Sequence, residues 1–325
     1  MAKFDRMNVA TALNSKYMRY AYVMLTSLFC NHPKEDIHVY LLHNDLTPSD
    51  CEHLTGLGTA YGNTIHFLKI DRNIFPNDLP TTAAWSLETY FRLMLPDILP
   101  AEVDRLLYLD VDMIIDKSLT DLYHTDFAGA NFCACKDMTV DFPTGDSRDQ
   151  IFQEHITNGF TYFNAGMMLW NVKNLRGEYS FKRYMELAKE LDYRMLAPDQ
   201  DLLNYMHVNQ IHFVDEYKYD LFSRMAYNHG IHYRDVKEET AIIHYAGMKP
   251  WEGAYIHYDI EQLWWEYAKM TPFYHELLEE FVAGCIRSPL IYDTMNTLSA
   301  EKQTLSSELA KSTALCKKLL TLLDK

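Results

Sequence analysis

The N-terminal part of the chain alternates between short apolar runs and longer segments with helical spacing. "MNVATAL" at 7–13, "DIHVYLLHN" at 36–44 and "TIHFLKI" at 64–70 are rich in residues that favour strands. Between the first two runs apolar residues recur every three or four positions, which predicts a helix. Thr47 and Pro48 are typical of the start of a second helix. Alternating strands and helices predict an α/β fold with a central, mostly parallel sheet and helices on both faces.

The segment "DRLLYLDVDMII" at 104–115 is almost continuously apolar, which predicts a central strand covered on both faces. Asp110 and Asp112 lie in the second half of this run. Side chains two residues apart in a strand share one face, so we expect the two carboxylates to lie within reach of one cation. The alternative is a strand that ends in a solvated acidic turn, since Asp116 and Asp121 follow.

Later segments continue the alternation. "SLETYFRLMLPDIL" predicts a helix that ends near Pro96, and "FTYFNAGMMLWNV" predicts a strand interrupted by Asn164 and Gly166. "APDQDLLNYM" predicts the start of a helix, and "TAIIHYAGMKPW" begins with an apolar strand that ends at His244.

After Pro289 the composition changes to a segment without glycine or proline, which predicts a helical C-terminal extension. We therefore divide the chain into a core domain, 1–285, and an extension, 286–325. The extension carries an imperfect heptad-like stripe of leucines: Leu298, Leu305, Leu309, Leu315, Leu319 and Leu322. It is predicted to pair with another chain, giving a homo-oligomer. The alternative is peripheral contact with the inner membrane face, for which the balance of lysines and acids leaves only a thin basic face.

The composition of the chain argues against several classes of protein. The chain has 325 residues with 48% hydrophobic residues, enough for a full core, and a net charge of −15 argues against a nucleic-acid partner. An anionic ligand must therefore meet positive charge locally. The cysteines form no CxxC pair, the N-terminus lacks a signal-peptide pattern, and no apolar run approaches a membrane span. These observations predict a cytoplasmic protein without a transmembrane segment.

His244 is a second candidate for chemistry, because it also ends an apolar strand and is followed by Gly247 and Lys249. An imidazole can complete an oxygen-rich manganese site, a lysine supplies a point charge for a phosphate, and a glycine lets the backbone approach a ligand. A lone histidine at such a place is more often structural, but the adjoining "GMKPW" favours a ligand role.

Several ordered motifs carry a resemblance to a known family. "YLDVDMII", "FNAGMMLWN", "PDQDLLN" and "HYAGMKPW", together with "TALNSKYMRYAYVMLTSL" and "LETYFRLMLP", resemble the retaining glycosyltransferase family 8. That family includes bacterial lipopolysaccharide galactosyl- and glucosyltransferases and glycogenin. The resemblance covers roughly residues 7 to 251. It implies a GT-A fold, a Rossmann-like nucleotide-sugar-binding fold. It also implies Mn²⁺, with Mg²⁺ as the alternative, a UDP-galactose or UDP-glucose donor, and a cell-surface glycan or glycolipid acceptor.

Carried over by position, the resemblance implies that Asp110, Asp112 and His244 bind the metal. It implies a donor site formed by Ala12, Asn14, Tyr17, Arg92, Asp110, Val111, Asp112, Asp137, Asn164, Ala165, Gly166, Asp199, Gln200, His244, Gly247 and Lys249. In this set Asn14 would hold the uridine, Arg92 the phosphate or sugar, and Lys249 the diphosphate. Many family members have an aspartate where this chain has Asn14, which leaves the choice of nucleotide in doubt.

Asp199 and Gln200 are the candidates for a catalytic role. Retention in hydrolases uses a carboxylate nucleophile, but an amide such as Gln200 is a poor one. A same-face substitution, in which the leaving phosphate takes the proton of the acceptor, is equally compatible with the sequence. Asp199 and Asp201 are also placed to cap a helix, and for Asp201 this is the preferred interpretation.

The function predicted from the sequence is a metal-dependent retaining hexosyltransferase. A nucleotide-sugar hydrolase and a catalytically silent nucleotide-sugar-binding protein are the alternatives. Intact Asp110, Asp112, His244 and Lys249 argue against a silent protein.

Overall fold

The structure is a computed structural model that describes residues 6–76, 79–81, 86–157, 159–254 and 257–323. In these residues the strands are β1 (Arg6–Ala12), β2 (Asp36–His43), β3 (Thr64–Lys69), β4 (Leu106–Leu109), β5 (Met113–Ile115), β6 (Phe132–Lys136), β7 (Phe163–Trp170), β8 (Ile211–Val214), β9 (Leu221–Phe222) and β10 (Ile242–His244).

The α-helices of the same ranges are α1 (Met18–Cys30), α2 (Pro48–Ala60), α3 (Leu95–Ile98), α4 (Thr120–Tyr123), α5 (Ser147–Ile151), α6 (Gln153–Ile156), α7 (Val172–Leu175), α8 (Phe181–Glu190), α9 (Pro198–Met206), α10 (Glu216–Tyr219), α11 (Ser223–Asn228), α12 (Tyr233–Glu239), α13 (Gln262–Ala268), α14 (Tyr274–Arg287) and α15 (Leu290–Leu323). Short 3₁₀ helices lie at Ser15–Tyr17, Arg72–Ile74, Leu87–Met94 and Asp259–Glu261.

The main sheet has seven strands in the order β3-β2-β1-β4-β7-β6-β8. Its strands run parallel except β7, which is antiparallel to both β4 and β6. Every residue of β4 and β7 is buried, as expected for central strands with near-continuous apolar sequence. The predicted mostly parallel α/β sheet is confirmed.

The predicted central strand at 104–115 is wrong in one respect. The structure divides it into β4 and β5, which belong to different sheets, with Asp110 and Asp112 in the connection between them. The amide of Asp110 still donates to the carbonyl of Gly166 at 2.9 Å, whereas the carbonyl of Asp112 accepts from the amide of Tyr245 at 2.9 Å. The two acids therefore mark the residues at which the backbone leaves the main sheet and joins the second one.

The second sheet is small and contains β5, β10 and β9 in that order. Strand β10 pairs antiparallel with β5, so that His244 lies opposite Met113, and parallel with β9. His244 is thereby held one residue away from Asp112 along the neighbouring strand. The predicted strand that ends at His244 is confirmed.

Two further expectations need correction. The segment predicted as one helix ending near Pro96 is an eight-residue 3₁₀ helix, Leu87–Met94, followed by α3. Pro96 lies in the first turn of α3, where its missing N–H leaves no hydrogen bond unmade. Strand β7 continues through Asn164 and Gly166, but its register with β6 shifts between Ala134 and Lys136, opposite these residues.

Contacts between Cα atoms divide the chain into two compact units, Met1–Lys249 with Tyr258–Tyr274, and Pro250–His257 with His275–Lys325. The second unit contains most of α14 and all of α15, which confirms the predicted C-terminal helix. The side chains of Leu315, Leu319 and Leu322 lie outside the described part, and the predicted division at residue 285 stays a prediction. Among the described residues, no helix combines the length and the apolar character needed to cross a membrane.

Candidate active site

A cavity lies beyond the carboxyl ends of β1 and β4, where ligands bind in open α/β sheets. Its other walls are the 3₁₀ helix Leu87–Met94 and Lys249. Of the predicted donor-site residues, those that line it are Ala12, Asn14, Tyr17, Arg92, Asp110, Val111, Asp112 and Lys249. The others do not line it: Asp137, Asn164, Ala165, Gly166, Asp199 and His244 are buried, Gln200 is partly buried and Gly247 is exposed.

Asp110, Asp112 and His244 form a compact group, with one ligand atom of each within 4.8 Å of the others. Nε2 of His244 lies 3.4 Å from Oδ1 of Asp112, and its Nδ1 lies 2.9 Å from Oδ1 of Asp220. A carboxylate behind an imidazole fixes the ring and directs its second nitrogen toward a metal. Two carboxylates and one imidazole are a donor set that suits Mn²⁺, so the residues present fit the implied ion.

Cationic side chains compensate the buried acids of this group. Nη2 of Arg92 donates to Oδ1 of Asp110 at 2.8 Å, its Nε lies 2.9 Å from Oδ2 of Asp199, and its guanidinium lies 4.4 Å above the ring of Tyr108. Nζ of Lys249 contacts Oδ2 of Asp112. Arg92 and Lys249 thus bring two positive charges to this cavity, where each is paired with an acid.

The two acids of the group have different electrostatic environments. Burial raises the pKa of Asp110, and Arg92 only partly opposes this effect. Burial also acts on Asp112, but Lys249 and His244 outweigh it and hold the pKa of that carboxyl well below its usual range. Burial disfavours the charged form of His244, yet its carboxylate neighbours raise the pKa of the imidazole to about 10. Asp112 is therefore the permanently ionised member of the pair.

Gln200 is held by β7 and by a neighbouring acid. Its Oε1 accepts from the amide of Ala165 at 2.8 Å and from Nδ2 of Asn164 at 3.0 Å, while its Nε2 donates to Oδ2 of Asp137 at 3.1 Å. Four predicted site residues are thus brought together in one hydrogen-bonded network. Ala165 also connects the network to the cavity lining, because its carbonyl accepts from Nη1 of Arg92.

Asp199 and Asp201 have separate roles in the structure. Asp199 is buried against Arg92, and burial raises the pKa of its carboxyl to about 6 although Arg92 lowers it. Asp201 accepts from the amides of Leu196 and Ala197 at 2.8 and 3.1 Å, which satisfies backbone donors at the start of α9. The preferred interpretation of Asp201 as a capping residue agrees with these contacts.

Two glycines are required by geometry. A Cβ atom on Gly166 would lie 2.5 Å from Cε1 of His244 and 2.9 Å from Cε of Met113, so any side chain there would displace the imidazole. Gly247 has a φ of +92°, in the left-handed region that favours glycine, and it lets the chain turn between His244 and Lys249.

Asn14 does not face the cavity with free hydrogen-bonding groups. Its Oδ1 accepts from the amide of Lys16 at 3.1 Å, and its Nδ2 donates to Oε2 of Glu88 at 3.3 Å. Nδ2 of Asn44 donates to the other oxygen of Glu88 at 2.8 Å. Glu88 thus brings a carboxylate to the part of the cavity where the chain has an amide at residue 14.

Sequence reasoning missed Glu88, Asp220 and Tyr108. Tyr108 lies two residues before Asp110, and its hydroxyl donates to Oδ1 of that acid at 3.1 Å, so strand alternation was a usable signal. Glu88 lies four residues before Arg92 inside a quoted motif. Asp220 follows no pattern, since only the pairing of β9 with β10 brings it beside His244.

Comparison with known proteins decides the family. The model of Glycosyl transferase family 8 matches residues 8–254, which is most of the chain and contains Asp110, Asp112 and His244. The chain belongs to glycosyltransferase family 8.

Relatives within family 8 are distant but extensive. A lipopolysaccharide 1,3-galactosyltransferase of Salmonella typhimurium strain LT2 is 28% identical over 257 residues, 77% of this chain and 75% of that protein. A lipopolysaccharide 1,2-glucosyltransferase of Escherichia coli is 27% identical over 254 residues, 76% of this chain and 74% of that protein. A relative from Haemophilus influenzae is 27% identical, and this chain matches only 62% of its length.

The crystal structure of the galactosyltransferase LgtC in complex with donor and acceptor sugar analogs has the same fold. It superposes with a TM-score of 0.67 at 26% identity, covering 82% of this chain and 96% of that chain. The GT-A fold expected of a family 8 member is thereby confirmed.

Proposed function

We propose that this family 8 member is a metal-dependent retaining hexosyltransferase that uses UDP-galactose or UDP-glucose. The observation that carries the proposal is the group of Asp110, Asp112 and His244 at the edge of a cavity that Arg92 and Lys249 also border. Acids, an imidazole and two cations around one cavity form a site for a metal together with a diphosphate.

Asp110, Asp112 and His244 would hold the metal, which supplies Lewis-acid stabilisation of the leaving diphosphate when bound. Lys249 supplies a further positive charge beside Asp112, and Arg92 holds Asp110 in place. Together these groups lower the cost of the negative charge that develops as the sugar-phosphate bond breaks. No separate acid is then needed to protonate the leaving group.

The contacts of Asp199 and Gln200 favour the same-face route to retention. The carboxylate of Asp199 is buried and paired with Arg92, and the amide of Gln200 is held by Ala165, Asn164 and Asp137. Neither group is placed as a free nucleophile. In our proposal the leaving phosphate takes the acceptor proton, and Gln200 keeps β7 in place beneath the sugar.

The acceptor that we propose is a cell-surface glycan or glycolipid of the lipopolysaccharide type. The Salmonella and Escherichia coli relatives act on lipopolysaccharide and transfer galactose and glucose respectively. We place the reaction in the cytoplasm, which agrees with the unpaired thiols of Cys133, Cys135 and the other cysteines.

The test is a panel of UDP-sugars incubated with the protein and with MnCl₂, MgCl₂ or EDTA. We expect slow release of UDP from one UDP-hexose, dependent on the metal and accelerated by a glycan acceptor, with an α-configured product seen by NMR. Release that no acceptor accelerates would identify a hydrolase instead. Absence of binding to every UDP-sugar, with or without metal, would overturn the proposal.

A further inference from the structure

We propose that α15 pairs with α15 of a second copy of this chain as a parallel, in-register, two-stranded coiled coil. The helix has 34 residues, which corresponds to a length of about 50 Å. Its described side chains are exposed throughout. A helix of this length whose described side chains are exposed is marginal in water unless a partner covers its apolar positions.

Met295, Leu298, Leu305 and Leu309 of α15 lie at heptad spacing, in a stripe that is interrupted by polar residues. Counted in alternating steps of three and four residues, the seam of the helix consists of Met295, Leu298, Lys302, Leu305, Leu309, Ser312 and Cys316. Met295, Leu298, Leu305 and Leu309 are 62%, 59%, 65% and 69% exposed. A stripe of two positions in seven is the pattern of a coiled-coil seam, whereas packing against a globular core uses a wider face.

Most positions beside the seam are polar, and Leu315 is an apolar exception. Ser299, Ser306 and Thr313 follow the seam residues on one side, and Glu301 precedes Lys302 on the other. A membrane-bound helix would need a wide apolar face with a basic rim, and here these flanking positions are uncharged or acidic. The narrow seam therefore fits a second helix and does not fit a lipid surface.

Lys302 determines the register and the orientation. In a parallel pair in register, Lys302 of one copy lies beside Glu301 of the other. The dimer therefore contains two such pairs, and in each of them a buried ammonium group meets a carboxylate. A shift by one heptad would place one Lys302 opposite Leu309 and the other opposite Met295. A single lysine at such a position thus selects one alignment.

Cross-linking through Cys316 can distinguish the parallel arrangement from an antiparallel one. In the parallel, in-register pair the two Cys316 residues occupy the same layer, where Cα atoms are close enough for a disulfide. With diamide as oxidant, the two thiols lose two electrons and two protons to form the S–S bond, and diamide becomes the hydrazine. In an antiparallel pair the two thiols lie at opposite ends, and no such bond forms.

The first test is sedimentation equilibrium of the full chain in reducing buffer. We expect twice the 38.1 kDa mass of the chain. A Leu305→Asp, Leu309→Asp variant should return to the monomer mass, whereas the matched control, Ala300→Asp with Ser307→Asp on the outer face of the same helix, should stay dimeric. UDP release is expected to be unchanged in all three proteins, which separates failure of pairing from failure of the proposed activity.

The second test is cross-linking with diamide at low protein concentration. We expect a covalent dimer on a non-reducing gel that disappears in Cys316→Ser and in the Leu305, Leu309 variant. A monomeric full chain overturns the proposal, as does a monomer that sediments with anionic phospholipid vesicles. A dimer that diamide does not cross-link through Cys316 overturns the parallel arrangement.

Discussion

The pKa values of two buried histidines in this molecule are shifted in opposite directions. His244 lies between Asp112 and Asp220, and these carboxylates raise the pKa of its ring to about 10 against the effect of burial. His207 is equally inaccessible, but its ring contacts the hydroxyl of Tyr184 at 2.7 Å and Nδ2 of Asn131 at 3.1 Å. Burial lowers its pKa to about 3.

The difference teaches that the partners of a buried histidine, and not its depth, decide the direction in which its pKa shifts. The site around His207 is neutral and satisfies its hydrogen bonds, which serves stability. The site around His244 collects acids and cations at the edge of a cavity, an arrangement that costs stability and serves binding.

The largest expected effect comes from removing charge at the His244 site. Asp112→Asn should lower the rate of UDP release by about 10² to 10³-fold, since it removes the ionised ligand that Lys249 and His244 face. Initial rates with saturating Mn²⁺ measure this. Asp121→Asn, an exposed acid farther along the chain, is the matched control. Full activity of Asp112→Asn would remove the metal assignment and leave the fold intact.

A smaller effect is expected at Asp220, which contacts His244 and is not one of the three proposed metal ligands. Asp220→Asn keeps the shape of the residue but weakens the orientation of His244, so we expect Mn²⁺ affinity to fall about 10 to 100-fold. Calorimetric titration with Mn²⁺ in the presence of UDP measures it. An unchanged affinity would mean that Asp220 only fills space behind the imidazole.

Glu88 tests whether the carboxylate opposite Asn14 takes part in binding the nucleotide. Glu88→Gln should weaken UDP binding about tenfold, the cost of one charge-assisted hydrogen bond. Mn²⁺ binding without UDP should not change, because Glu88 does not contact the metal group. Equal UDP affinity in both proteins would contradict a role in nucleotide recognition.

The smallest expected effect is on the free energy of unfolding, and it comes from His207. The folded-state pKa of His207 lies below its unfolded value of about 6.5, so its contribution to stability is complete above that pH and is lost as the pH falls toward 3. Below pH 6.5 the free energy of unfolding should fall by about 1.4 kcal/mol per pH unit through this group.

Urea denaturation of the wild type and of His207→Gln at pH 7.5 and pH 5.5 checks this expectation. The variant lacks the titrating group, so its loss of stability between the two pH values should be smaller by that amount. Identical losses in both proteins would show that the pKa of His207 is not lowered in the folded state.

The fold was largely predictable, because its strands are short, apolar and separated by helices with clear starts. Strands β2, β3 and β10 and helices α2 and α9 lie where the pattern places them. The break between β4 and β5 was not predictable, since "LDVDM" continues the alternation of a strand while its backbone bonds to two different sheets.

The candidate site also contains residues that the sequence predicts and residues that it does not. Motif residues such as Asp110, Asp112 and His244 could be named from the sequence, and the structure brings them within one group. Asp220 and Glu88 could not, because their roles depend on which strand pairs with which and on a side chain that turns toward Asn14. Local sequence patterns do not indicate which distant segments lie next to each other in the fold.

The position of β10 has a consequence for biosynthesis. This strand lies between β5 and β9, both of which precede it in the chain, and it carries His244. While the ribosome synthesises the protein, Asp110 and Asp112 emerge long before their imidazole partner and before Lys249. Insertion of a late strand between two early ones is a non-local step that must wait for the chain. A polypeptide that ends before β10 therefore carries the two acids without His244 and Lys249, and lacks the donor site that we propose.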